Sequence, residues 1–217
     1  MNIKYKAGIF DLDGVIVDTA KYHYIAWKNL AHELGFEFSE TDNQRLKGVS
    51  RQRSLEILLS IGGIEADDKT KIRMAKQKND EYVRLIQQLD HSEMLPKVES
   101  FLRSLRNFGI KIVLGSASKN APLILKRLDI EKLFDAVIDG NKVSKAKPDP
   151  EVFLKGAKEV EIDSVNCVVF EDAEAGLQAA KLAGMYAVGI GKPDQLPSAD
   201  VVFPGLYAVN IKKMFFS

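Results

Sequence analysis

The stretch "GIFDLDGVIVDT", residues 8–19, decides how this chain is read. It opens as a short apolar run of the kind that becomes a buried strand, then places Asp11 and Asp13 two residues apart, with Gly14 behind them. Carboxylates gathered at a strand end repel one another, so the pair asks for compensating charge from elsewhere in the chain.

Runs of the same character recur as "IKIVLG" (110–115), "DAVID" (135–139), "NCVVFED" (166–172) and "YAVGI" (186–190), with a weaker "DVVF" at 200–203. Helix-like stretches at 96–108, 121–128, 150–160 and 173–183 separate most of them. Strands too apolar to be half exposed, alternating with helices, predict a parallel sheet covered on both faces: a doubly wound α/β domain.

Between the first run and the second lie nearly a hundred residues without a convincing strand, far more than a crossover needs. The segment reads as helices: 21–34, with Trp27, Leu30, Ala31 and Leu34 on one face; 50–61, with Ser50 as N-cap and the glycines at 62–63 ending it; and a long one near 67–89. The expected organisation is an α/β core of residues 1–16 and 93–217 carrying an inserted α-helical cap, residues 17–92. Two chain crossings imply a hinge.

Lysine plus arginine (31) nearly balances aspartate plus glutamate (30), which leaves no basic field for nucleic acid. The single cysteine, Cys167, sits in "CVVF" and is expected to be a small core residue; it excludes a disulfide framework. No leader-like h-region and no stretch of membrane-spanning length is present, so a soluble cytoplasmic protein, monomeric for want of an association seam, is expected.

In an open parallel sheet, ligands bind beyond the carboxyl ends of the strands. Here those ends carry Asp11, Asp13 and Gly14; "GSASKN" with Ser116, Ser118, Lys119 and Asn120; "KAKPDP" with Lys147; and Glu171 with Asp172. Each alone is ordinary turn chemistry. Together the acids Asp11, Asp13, Glu171 and Asp172 form a hard oxygen set that suits Mg²⁺. Lys147, the Ser116 hydroxyl and the backbone N–H groups of the "DLDG" turn could surround a phosphoryl group. A carboxylate can accept that group covalently, and the more deeply set aspartate is expected to be the nucleophile, with the second moving the proton.

"DLDG", Ser116, Lys147 before a proline and "ED" at 171–172 resemble, in order, the four motifs of the haloacid dehalogenase-like superfamily of phosphoryl-transfer enzymes, with its Rossmannoid core. The resemblance implies Asp11 as nucleophile and Asp13 as general acid and base. It also implies a Mg²⁺ site of Asp11, the Asp13 backbone carbonyl, Glu171 and Asp172, with Ser116 and Lys147 steadying the phosphoryl group.

"GVIVDTAKYHYIAW", "LKGVSRQRSLEILL", "KQKNDEYV" and "GSASKN" are further similar to the β-phosphoglucomutase family. That family interconverts β-glucose 1-phosphate and β-glucose 6-phosphate, with β-glucose 1,6-bisphosphate as the activating intermediate, so hexose phosphates are the expected partners. A second phosphate then needs a grip. Gly48, Val49, Ser50 and Arg51, at a helix N-terminus, form a suitable anion site, with Arg51 the candidate; a solvated Arg51 and a purely capping Ser50 are the plainer alternative. By resemblance, Lys78, Ala117, Ser118 and Asn120 assist substrate binding, Trp27 lines the sugar site as well as the cap core, and Thr19 and His23 hold the general acid and base in register. Two departures stand out: Lys97 in "MLPKVESFL" where glycine is usual, and Gly115 where alanine is common. The Lys147–Pro148 bond is expected to be trans, the commoner state. A sugar-phosphate phosphatase, and a catalytically idle phosphate-binding protein, are the competing functions.

Overall fold

The computed structural model describes residues 2–46 and 49–217. The chain forms two compact units, Met1–Asp18 with Asp90–Ser217, and Thr19–Leu89.

The first unit is built on six parallel strands: β1 (Ala7–Phe10), β2 (Lys111–Gly115), β3 (Ala136–Ile138), β4 (Cys167–Glu171), β5 (Tyr186–Ile190) and β6 (Val201–Phe203), in the order β3-β2-β1-β4-β5-β6. β1 is flanked by β2 and β4, and every residue of β1 is buried, as a strand covered on both faces requires. Side chains alternate between the faces. Ala7, Ile9, Val113 and Val169 join Phe153 of α7 (Glu151–Glu159) and Leu177 and Ala180 of α8 (Glu174–Leu182) in one core. On the opposite parity Phe10 stacks on its register partner Phe170, 4.7 Å between ring centres, and meets Phe101 of α5 (Val98–Asn107) edge-on at 6.2 Å. Cys167 is fully buried in the first of these cores, and burial, then the charge of Asp163, pushes its thiol up to about 12, which makes it inert.

The weak run at 200–203 does become a strand, β6, as an edge partner of β5. Because the order reverses direction about β1, the crevice between the ends of β1 and β4 is where an open sheet of this topology binds its ligand.

The chain leaves this unit after Val17 and Asp18 and returns near Asp90, and on the core side the two passages are tied together: Leu95 N–H donates to the Ile16 carbonyl at 3.0 Å, and Val17 bridges Met94. Directly after this tie Lys97 sits at φ 66°, ψ 7°, the left-handed region. A non-glycine residue costs about 1–2 kcal/mol there, while glycine gives back about 0.5–1 kcal/mol in unfolded-chain freedom. Lys97→Gly should therefore stabilise by up to about 1 kcal/mol, a rise of about 2–4 °C in Tm by calorimetry; a lower Tm would rule out strain at this turn.

The second unit is helical: α1 (Ala20–Glu33), a short α2 (Glu40–Gln44), α3 (Arg51–Ile61) and α4 (Asp68–Ile86). Trp27, Leu30 and Ala31 of α1 pack with Leu55, Leu58 and Leu59 of α3 and Met74 and Ala75 of α4. Ser50 caps α3 by accepting from Arg53 N–H at 3.3 Å, Asp67 caps α4 by accepting from Thr70 N–H at 2.7 Å, and Gly63, at φ 62°, turns the chain after α3. In the first unit α6 (Ala121–Arg127) follows β2 and α9 (Ile211–Phe215) ends the chain. Among the described residues no helix is long and apolar enough to cross a membrane.

Candidate active site

Asp11 is the first residue past β1, its N–H donating to the Phe170 carbonyl at 2.9 Å, so the acid is held where the sheet ends. The strand stops at Phe10, and Asp13 lies in the turn beyond it, bridged to Val17, rather than continuing the pleat. The turn closes because Ile16 N–H and Val17 N–H both reach the Leu12 carbonyl, at 2.9 and 3.1 Å, and Gly14 N–H reaches the Val17 carbonyl. Gly14 takes φ 79°, and a Cβ there would stand 2.2 Å from Asp172 Oδ2. Only glycine lets the turn run this close to the second acid.

Asp11, Glu171 and Asp172 come together with one carboxylate oxygen from each within 4.8 Å of the others. Lys147 supplies the balancing charge: its Nζ donates to Asp11 Oδ1 at 2.6 Å and to the Gly115 carbonyl at 3.1 Å, lies 3.4 Å from Glu171 Oε1, and sits 4.8 Å from the centre of the Phe153 ring. Phe153 fills the space a side chain at position 115 would need, since a Cβ there would be 3.0 Å from its ring. Gly115 thus belongs with Phe153 in this chain. The Lys147–Pro148 bond is cis, against the expectation of trans; a tertiary amide leaves the two states close enough in energy for the fold to choose.

Burial would lower the Lys147 pKa, but the charges of Asp11 and Glu171 and hydrogen bonds to both outweigh it and raise it above the usual lysine range. Glu171 is pushed well above the usual carboxylate range, by burial first and the charge of Asp11 second, with Lys147 opposing. Three carboxylates gather beside the Lys147 ammonium, and the buried Glu171 Oε2 has no hydrogen-bond partner. A hard divalent cation fits that donor set, and Mg²⁺ held by Asp11, Glu171 and Asp172 would be its natural occupant.

Ser116 is buried at the end of β2, its N–H donating to the Ile138 carbonyl at 2.9 Å. Its Oγ accepts from Ser118 N–H at 3.0 Å, which leaves the hydroxyl proton to be donated elsewhere. Ser118 Oγ in turn accepts from Asn120 N–H at 3.3 Å. Ala117 is exposed, and its carbonyl rests against Gly140, where a Cβ would come within 2.2 Å. Gly140 N–H and Asn141 Nδ2 hold the Ser118 and Lys119 carbonyls at 3.2 and 3.0 Å. Nothing in the strand periodicity marks this buttress.

In the helical unit Lys78 is buried, its ammonium 2.8 Å from His23 Nδ1 and 4.6 and 4.8 Å from the Trp27 and Tyr82 ring centres. The ammonium donates, so Nδ1 accepts and the imidazole proton resides on Nε2. Burial, then the charges of Lys78 and Arg51, hold His23 well below its usual pKa, hence neutral at pH 7. Its ring stacks on Tyr82 at 4.0 Å. Tyr82 was not singled out by sequence, although it falls one helical turn after Lys78, on the same face. Thr19 is fully buried and precedes α1, with its carbonyl accepting from Tyr22 and His23 N–H. Val49 is exposed; Ser50 is the N-cap of α3 and Arg51 its first residue, and burial lowers the Arg51 pKa without discharging it. Gly48 lies outside the described residues.

A parallel sheet whose ends gather an Asp-x-Asp turn, a hydroxyl, a lysine and a Glu–Asp pair defines a class. The chain belongs to the haloacid dehalogenase-like hydrolase family, which it matches over residues 8–190. It is 45% identical over 199 residues to the β-phosphoglucomutase of Bacillus subtilis strain 168, covering 91% of this chain and 88% of that one. The crystal structure of β-phosphoglucomutase from Clostridium difficile superposes with a TM-score of 0.91 at 41% identity, covering 97% of this chain and 95% of that one. The phosphorylated carbohydrates phosphatase of Thermotoga maritima is 32% identical, covering 84% and 83% of the two chains.

Proposed function

We propose that this protein is a β-phosphoglucomutase acting through an aspartyl phosphate on Asp11. The observation that carries the reading is the gathering of Glu171 and Asp172 beside the lysine-held Asp11, at the place where an open sheet of this order binds ligands. Asp11, carried as its acyl phosphate, gives the phosphoryl group to the 6-hydroxyl of β-glucose 1-phosphate, while Asp13 takes the hydroxyl proton. The bisphosphate turns round. Asp11 then attacks the phosphorus at C1, and Asp13 returns the proton to the departing C1 oxygen, so the enzyme ends phosphorylated as it began. Lys147 and the Ser116 hydroxyl steady the peripheral oxygens throughout. Mg²⁺, held by Asp11, Glu171, Asp172 and the Asp13 carbonyl, would neutralise charge on the transferred group. Arg51 grips the distal phosphate. Lys78, Ser118 and Asn120 help to hold the sugar, and Thr19 and His23 keep the general acid and base in register.

A sugar-phosphate phosphatase, with water as final acceptor, is the second reading, supported by the likeness to the Thermotoga maritima enzyme. Incubation with Mg²⁺, β-glucose 1-phosphate and a trace of the 1,6-bisphosphate should yield glucose 6-phosphate with little free phosphate; phosphate alone would sink the mutase. Arg51→Ala should cut mutase turnover roughly 10²-fold, the scale of about 3 kcal/mol for a lost charged contact, while slow hydrolysis of acetyl phosphate continues. Equal losses in both assays would remove Arg51 from its role.

A further inference from the structure

Lys147 must place its ammonium 2.6 Å from Asp11, yet it is carried by an exposed, irregular segment between β3 and α7. Such segments are mobile unless tied down. The tie is Glu151, the first residue of α7. Its Oε2 accepts from Ser144 N–H, Ser144 Oγ and Lys145 N–H at 2.9, 2.9 and 2.8 Å. Its Oε1 pairs with Lys155 at 2.6 Å, and Lys155 Nζ also donates to the Lys142 carbonyl at 2.7 Å. Glu151 N–H donates to Asp149 Oδ1 at 3.0 Å, on the far side of Lys147. The carboxylate therefore grips the loop two residues before the lysine, and the same residue's backbone grips it two residues after.

We propose that Glu151 is a positioning residue for Lys147: by holding Ser144 and Lys145 it fixes the loop from which the lysine reaches Asp11. This rests on the assignment of Lys147 to the phosphoryl-transfer site. The carboxylate is held in its acceptor form, its pKa drawn down to about 2 by the Lys155 hydrogen bond first and the Lys145 N–H second, so the tie persists throughout the neutral range.

Amide hydrogen exchange and kinetics on the full chain test it together. Glu151→Ala should unmask the Ser144 and Lys145 amides while those of β1 and β4 stay protected. It should also lower kcat about 10–100-fold, the scale of a misplacement near 1 Å, with KM for the hexose phosphate changed less than about twofold. Glu151→Gln keeps an acceptor oxygen but loses the Lys155 pair, and should fall between. In a Lys147→Ala background, adding Glu151→Ala should cause no further loss of residual acetyl phosphate hydrolysis, because the two changes act through one group. Unchanged exchange at Ser144 and Lys145, an unchanged kcat despite faster exchange, additive losses in the double variant, or lost protection across β1 and β4 would each overturn the proposal. Acetyl phosphate turnover reads the Lys147 site whichever sugar chemistry the enzyme performs. Release of phosphate in place of isomerisation would thus defeat the mutase reading and leave this one standing.

Discussion

Asp11→Asn is expected to abolish phosphoryl transfer, with turnover on hexose phosphates falling on the order of 10⁴-fold or more, as for removal of other covalent nucleophiles. An amide is nearly the shape of the carboxylate but offers no nucleophilic oxygen. Its carbonyl can still accept from Lys147, which now donates to Asp11 Oδ1. The fold should survive, because the substitution removes one of the carboxylates that crowd the buried Glu171. The direct readout is the covalent intermediate: acetyl phosphate should label the wild type with a hydroxylamine-sensitive phosphate and leave the variant unlabelled. Asp13→Asn separates the two acids. Acetate leaves without needing a proton, so this variant should still be labelled by acetyl phosphate, yet fail to pass the group to a sugar hydroxyl, which does need its proton taken. Label on Asp11→Asn would reject Asp11 as nucleophile, and bisphosphate formation by Asp13→Asn would reject Asp13 as the proton carrier.

The grouping of Asp11, Lys147, Glu171 and Asp172 was legible because open-sheet topology brings polar residues together beyond the strand ends. Asp11, Ser116 and Asp172 each follow directly on a buried strand and Glu171 ends one, whereas Lys147 lies well past β3, in the segment before α7. The five-residue helices α2 and α9 were not foreseen, being too short to show a helical period. Glu151 and Tyr82 were not legible either. Their roles depend on which backbone or ring the fold brings against them, as when Glu151 meets the loop at 144–145, and local pattern carries no record of that. Lys97 shows the converse: the departure from glycine was visible in sequence, but only the backbone reveals a lysine at φ 66°.

Gly176→Ala is the substitution that should break the site without touching an ionisable group. Gly176 lies in the first turns of α8, and a Cβ there would stand 1.8 Å from Glu171 Oε1 and 2.3 Å from its Cγ, so the whole buried side chain would have to leave its place. With it would go the Glu171 oxygen that the acidic cluster contributes. In the wild type, Mg²⁺ at about 100 times its Kd should add about 2.7 kcal/mol, a Tm rise of about 5–10 °C for a chain of this size. The rise should also grow with pH. Glu171 has a raised pKa in the fold, so without metal its contribution to stability is full below the ordinary glutamate value and is lost as pH climbs through the folded value. Bound Mg²⁺ requires the carboxylate and removes that loss. His23, whose lowered pKa makes stability fall as pH drops below about 6.5, slopes the other way. The readout is the difference between metal-loaded and metal-free melts at each pH, in which any titration that the metal leaves unchanged cancels. In Gly176→Ala that difference should shrink to a small fraction and lose its pH dependence, with kcat down on the order of 10²-fold. A variant that keeps the full Mg²⁺-induced rise would show that Glu171 is not a ligand, and the charge balance around Lys147 would then have to be met by Asp11 and Asp172 alone.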